Sequence, residues 1–128
     1  MDKLKELYNS INKLDEENPA ELSRIITLYS RSLQLIGNYH ADAIKSHGIS
    51  YAQRKSTWGK TMHDTPGTGI VKEGAAEIAI YVLRKDEAEA ESEVWKWRNQ
   101  FQSTQEIINS LKIQLKTLMT EYQNSNQL

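Results

Sequence analysis

The residues with the most chemistry to offer stand together in Tyr51-Ala52-Gln53-Arg54-Lys55-Ser56-Thr57-Trp58-Gly59-Lys60, where three cations and two aromatic rings mix with short hydroxyl donors. Cations of this kind hold phosphate oxygens, and aromatic faces stack on bases. With Arg31 upstream, the residues Tyr51, Arg54, Lys55, Trp58 and Lys60 form the candidate surface for a nucleic acid or a nucleotide. Arg24 and Lys45 extend it. From Arg24 to His63 six Lys or Arg stand against one acidic residue, Asp42, in a chain whose formal net charge is −1. An ordinary amphipathic helix with Tyr51 and Trp58 turned inward has the same pattern. Thr57-Trp58-Gly59-Lys60 resembles the end of a phosphate-binding loop, but the opening glycine and the preceding strand are missing, which excludes that reading.

A second candidate has the opposite sign. Asp86-Glu87-Ala88-Glu89-Ala90-Glu91-Ser92-Glu93 leads into Trp95-Lys96-Trp97-Arg98. On a helix Glu87 with Glu91, and Glu89 with Glu93, are like-charged pairs that each cost a few tenths of a kcal/mol. Such a run is either a solvated face or a landing site for a basic partner. Trp95 and Trp97 point roughly 200° apart on a helix, so they cannot both enter one core. Glu87, Glu89, Glu91, Glu93, Trp95 and Trp97 are therefore the candidate protein-partner surface, since Trp and Arg are enriched where partners bind most tightly.

Other chemistry has little support. There is no cysteine, which excludes disulfides, thiolate metal sites and a cysteine nucleophile. His40, His47 and His63 show no metal-ligand spacing, and no Gly-x-Ser-x-Gly nucleophile motif occurs. The sequence assigns no catalytic residue, metal or cofactor, and a non-enzymatic binding protein is expected.

The elements that must position these residues are helical. Only 38% of the 128 residues are hydrophobic and the mean hydropathy is −0.66, values that suit an elongated helical protein with a narrow apolar stripe. Leu4, Leu7, Ile11 and Leu14 predict an N-terminal helix within residues 1–17. Asn18-Pro19-Ala20-Glu21 carries the signals of a helix start. A two-helix segment is expected over 18–64: one helix with the stripe Leu22, Ile25, Ile26, Tyr29, Leu33 and Ile36, a stop at His47-Gly48, and a restart at Ser50. Asp64-Thr65-Pro66-Gly67-Thr68-Gly69 is the strongest break, with a turn over 65–69. From 70 to 122 the spacing of Ile78, Val82, Trp95, Phe101, Ile108, Leu111, Leu115, Leu118 and Tyr122 predicts one very long helix of ~75 Å. Its first half is rich in alanine (Ala75, Ala76, Ala79, Ala88, Ala90), which lets helices approach closely, with Ala41, Ala43 and Ala52 as facing residues. Its end, through Ile108, Leu111, Leu115 and Leu118, is the candidate seam of a coiled coil between copies. Residues 123–128 are expected to fray. The fold class is thus all-α, an elongated hairpin or bundle forming one domain, and oligomeric.

No apolar run approaches the length of a membrane span. The opening Met1-Asp2-Lys3-Leu4-Lys5-Glu6 holds no signal-peptide core, so an unprocessed cytosolic chain is expected.

One pattern runs through Tyr39-His40-Ala41-Asp42-Ala43, Gly48-Ile49-Ser50-Tyr51-Ala52-Gln53-Arg54-Lys55, Ala75-Ala76-Glu77, Ala88-Glu89-Ala90-Glu91, Trp97-Arg98-Asn99 and Ile107-Ile108-Asn109-Ser110-Leu111-Lys112. Over roughly residues 30–122 it resembles a diffuse family of small helical bacteriophage and prophage proteins. The resemblance implies a setting among early phage genes, in the cytoplasm of a bacterial host, and carries no catalytic residues over. An accessory factor in phage DNA replication or recombination is the first expectation. The alternative is an anti-defence inhibitor: an anti-CRISPR protein using its glutamates as phosphate mimics, or a sponge for a nucleotide signal at the basic aromatic stretch. A virion or scaffold component is a third.

Overall fold

A computed structural model describes residues 2–126. Its elements are α1 (Asp2–Asn12), α2 (Pro19–Asp64) and α3 (Gly69–Asn126), with no strand among the described residues. The chain divides into two compact units, one of residues 2–38 with 98–126 and one of Tyr39–Trp97.

The first unit packs α1, the start of α2 and the end of α3 around one core. Its centre is Ile11, Leu22, Ile25, Leu28 and Leu111, with Leu7, Tyr8, Leu14, Ile26, Tyr29, Leu115 and Leu118 packed against it. Burying each such aliphatic side chain contributes about 1.5–3 kcal/mol, so a short helix like α1 owes its stability to docking rather than to propensity. Two hydroxyls are buried here without being orphaned: Ser32 donates to the Leu28 carbonyl at 3.0 Å and Thr104 to the Gln100 carbonyl at 2.8 Å. Gln100 also donates to the Tyr8 hydroxyl at 3.2 Å. Pro19 opens α2, and the Asn18 side chain accepts from the amides of Ala20 at 3.0 Å and Glu21 at 3.2 Å. These amides have no partner inside the helix, which is why the cap matters.

Here the expected oligomer seam is corrected. Leu111 lies in the core of this unit, Leu115 and Leu118 pack against it, and Ile108 is buried. The stripe is covered by α1 and α2 of the same chain, because these helices carry matching apolar faces. α1 also ends earlier than expected. Its last turn tightens through the bonds of Lys13 and Leu14 to the carbonyls of Ser10 and Ile11, and the Asp15 carboxylate takes the Glu17 amide at 2.9 Å. A short acidic side chain competing for backbone donors disfavours helix at that point.

The second unit is a hairpin of two helical segments. Thr65-Pro66-Gly67-Thr68 makes the turn, and Gly67 has φ 116, the left-handed region that glycine adopts at no steric cost. Lys72 donates to the Thr68 carbonyl at 3.0 Å as α3 begins. The core is thin: Ala43, Ala76, Ile80 and Trp97 are its buried members. The small-residue expectation therefore divides. Ala43 and Ala76 are buried and Ala75 and Ala90 half-buried, whereas Ala41, Ala52, Ala79 and Ala88 are exposed.

The expected stop at His47-Gly48 is absent, and α2 is one unbroken helix. Gly48 does not adopt positive φ, and no proline follows it to end the ladder. A helical glycine costs about 1 kcal/mol relative to alanine, too little to break a helix that packs on both sides of it. Residues 123–126, expected to fray, are helical; the remainder of that tail lies outside the described residues.

Candidate anion-binding surfaces

Helix geometry splits the basic aromatic stretch. Tyr51, Lys55 and Trp58 recur at steps of four and three, so they share one side of α2, whereas Lys60 lies roughly 140° from Lys55. Tyr51 and Lys55 are exposed and Trp58 is half-buried. The Tyr51 ring meets two cations, the Arg54 guanidinium at 5.3 Å and the Lys55 ammonium at 5.6 Å from its centroid. Such contacts fix the ring and spread positive charge around it.

Arg54 is engaged elsewhere. Its Nε donates to Glu87 Oε2, and its Nη2 donates to Glu87 Oε1 at 3.5 Å. This hydrogen bond, opposed by desolvation and aided by the charges of Arg54, His47 and Arg84, holds the Glu87 carboxyl below its ordinary range. The same bond holds Arg54 still more firmly protonated. Arg54 is thus a hairpin tie, and the exposed cations left in the stretch are Lys55 and Lys60.

The pair also divides the acidic run. Glu87 faces inward and is half-buried, while Glu89, Glu91 and Glu93 are exposed. Alternate residues on a helix lie roughly 200° apart, so Glu89 and Glu93 share one side and Glu91 another. Glu93 is further paired with Lys96 at 3.8 Å. The four glutamates do not form one row. Of the two tryptophans, Trp97 is buried with its ring 4.9 Å from that of Tyr39, and Trp95 is 51% exposed. Tyr39, Asp42, Ala43, Ser46, Ala90, Glu93 and Trp97 line a small cavity of about 260 Å³, and Lys96 sits 4.9 Å from the Trp97 ring.

The first unit holds a basic groove that the sequence only half discloses. Arg24 and Arg31 are seven residues apart, two turns along one side of α2. With Lys3 of α1 they line a groove of about 600 Å³, together with Glu6, Ser10, Gln34 and an apolar floor that includes Leu7 and Leu28. Ser23 and Thr27 continue the Arg24 and Arg31 wall. Arg31 therefore belongs with Arg24 and Lys3. The spacing of the two arginines signals the groove, but the arrival of Lys3 depends on how α1 docks, which no spacing encodes. Among the described residues, no three His, Asp or Glu side chains converge as a metal site would require, and no helix is long and apolar enough to cross a membrane.

Comparison with protein-family models, with curated proteins and with solved structures found no match.

Proposed function

We propose that this chain is a non-enzymatic binding protein of phage origin that grips the phosphate backbone of DNA, as an accessory factor in replication or recombination. One observation carries the reading. Lys3, Arg24 and Arg31 line the same groove, and none of them forms an ion pair among the described residues. Their charges are left for an external anion, and the Ser23 hydroxyl beside them can donate to phosphate oxygens, whereas that of Thr27 is given to the Ser23 carbonyl. Lys55 and Lys60, exposed on α2, are two further cations within reach of a phosphate. In the basic stretch of α2 the exposed ring is Tyr51, and the groove itself is lined by no aromatic ring, so the binding is expected to favour backbone over sequence. A mobility-shift titration at low salt with single- and double-stranded DNA tests the reading; no shift with either removes it.

A second reading rests on the exposure of Glu89, Glu91 and Glu93. They suit a basic host defence protein, as an anti-CRISPR inhibitor would. Converting the three to lysine abolishes inhibition in this reading, and full inhibition by that variant excludes it.

A further inference from the structure

The outer side of α3 between Ile70 and Val82 carries a large amount of apolar surface in water. Ile70 is 83% exposed, Ile78 81%, Tyr81 74%, Val82 63% and Val71 53%. The inner side of the same segment is buried through Ala76 and Ile80. A helix that is apolar on opposite sides is the pattern of one covered all round.

The outer stripe has a seven-residue period. Val71, Ile78 and Lys85 form one row, and Gly74, Tyr81 and Ala88 the other, in alternating steps of three and four. That is the spacing of a helix seam that packs side chains into the holes of a partner helix. One rim of the stripe carries Glu77 and Arg84, whose side chains join along the helix with Arg84 Nη1 3.0 Å from Glu77 Oε2. The other rim carries Ala75 and Val82.

We propose that this face is covered by the same face of a second copy, the two α3 segments running antiparallel about a two-fold axis level with Ala79 and Ile80. In that register Ile78 packs against Tyr81 of the other copy, twice over by symmetry. Gly74 lies opposite Lys85, so the long side chain crosses where its neighbour has none and its ammonium reaches water. Val71 lies opposite Ala88. Along one rim Glu77 meets Arg84 of the other copy and Arg84 meets Glu77, turning two ion pairs into a ring of four alternating charges. Along the other rim Ala75 meets Val82. A parallel pairing instead stacks Lys85 on Lys85 and matches no opposite charges, which disfavours it.

The size of the face agrees. Five side chains exposed to this degree leave on the order of 600 Å² per copy, the upper end of what a monomer exposes in one patch. Fully covered on both copies they bury at most about 1,200 Å², the lower end for a specific and stable interface.

The test uses the whole chain. Sedimentation or light scattering over a concentration series is expected to show a dimer. Ile78 is so exposed that Ile78→Glu leaves helix content and melting of the dilute chain intact, while weakening the dimer by about 100-fold or more. Glu77→Arg and Arg84→Glu each weaken it, and the two together restore it. Because the chain has no cysteine, copies carrying Val71→Cys can be mixed with copies carrying Ala88→Cys and oxidised. The antiparallel register gives the mixed 71–88 cross-link. A monomer at every concentration overturns the proposal, as does a dimer indifferent to Ile78→Glu or one that cross-links 71 to 71.

Discussion

The guanidinium of Arg54 and the carboxylate of Glu87 clasp each other between the two helical segments of the hairpin, half-buried, with Tyr51 stacked against the cation. The pair takes one residue from each candidate functional run and spends both on the fold. Removing either partner strands the other in a partly desolvated place, which is worse than losing the attraction alone.

Acid should release this clasp. Glu87 binds its proton less tightly in the folded chain than at its ordinary value of 4.5. Its stabilising contribution is therefore complete above about 4.5 and is lost as pH falls through the lower folded value. Thermal melts of the native chain and of Glu87→Gln should differ at neutral pH, and the difference should shrink as pH falls below 4.5.

Salt should weaken the proposed DNA binding in a countable way. Each phosphate neutralised adds about −0.9 to the slope of log K against log salt, so Lys3, Arg24 and Arg31 together give about −2.7. Arg31→Ala should lower affinity on every DNA sequence alike and reduce the slope by about one. Arg54→Ala should leave the slope unchanged, because that charge is already neutralised by Glu87.

Leu111 distinguishes core from seam. It is 6% exposed within the first unit, so Leu111→Ala should cost about 2–4 kcal/mol in urea unfolding. Its oligomeric state under native conditions should match that of the native chain. A variant that loses assembly while keeping full stability would return Leu111 to a contact between copies.

Two glycines should respond in opposite directions. An added Cβ at Gly48 meets nothing within 4 Å, so Gly48→Ala should raise stability by about 0.5–1 kcal/mol. At Gly67 the backbone has φ 116 and the added Cβ stands 3.3 Å from Val71 Cγ1. Gly67→Ala should therefore cost about 1–2 kcal/mol.

Much of the fold was legible because it rests on periodicity and caps. The steps from Leu22 to Ile36 place α2, Asn18-Pro19 places its start, and the absence of proline after Pro66 announces the length of α3. The break assigned at Gly48 failed because a glycine ends a helix only when its backbone turns left-handed or a proline follows. The site was less legible. Arg54, Lys55 and Lys60 are neighbours in sequence, yet helix geometry sends them to different sides and Glu87 claims one of them. Ile108, Leu111, Leu115 and Leu118 form a stripe whose period says that something covers it. The period is the same whether the cover is α1 and α2 or another chain.

The bond between Tyr8 and Gln100 joins residues separated by 92 positions, whereas the clasp between Arg54 and Glu87 spans 33. Chain closure over the longer span costs more entropy before any contact rewards it, and such contacts slow folding. On a ribosome the hairpin has all its residues free while the first unit still waits for the end of α3. Of the contacts in the first unit, those between α1 and the end of α3 span the most chain, so the apolar side of α1 waits longest for its full cover.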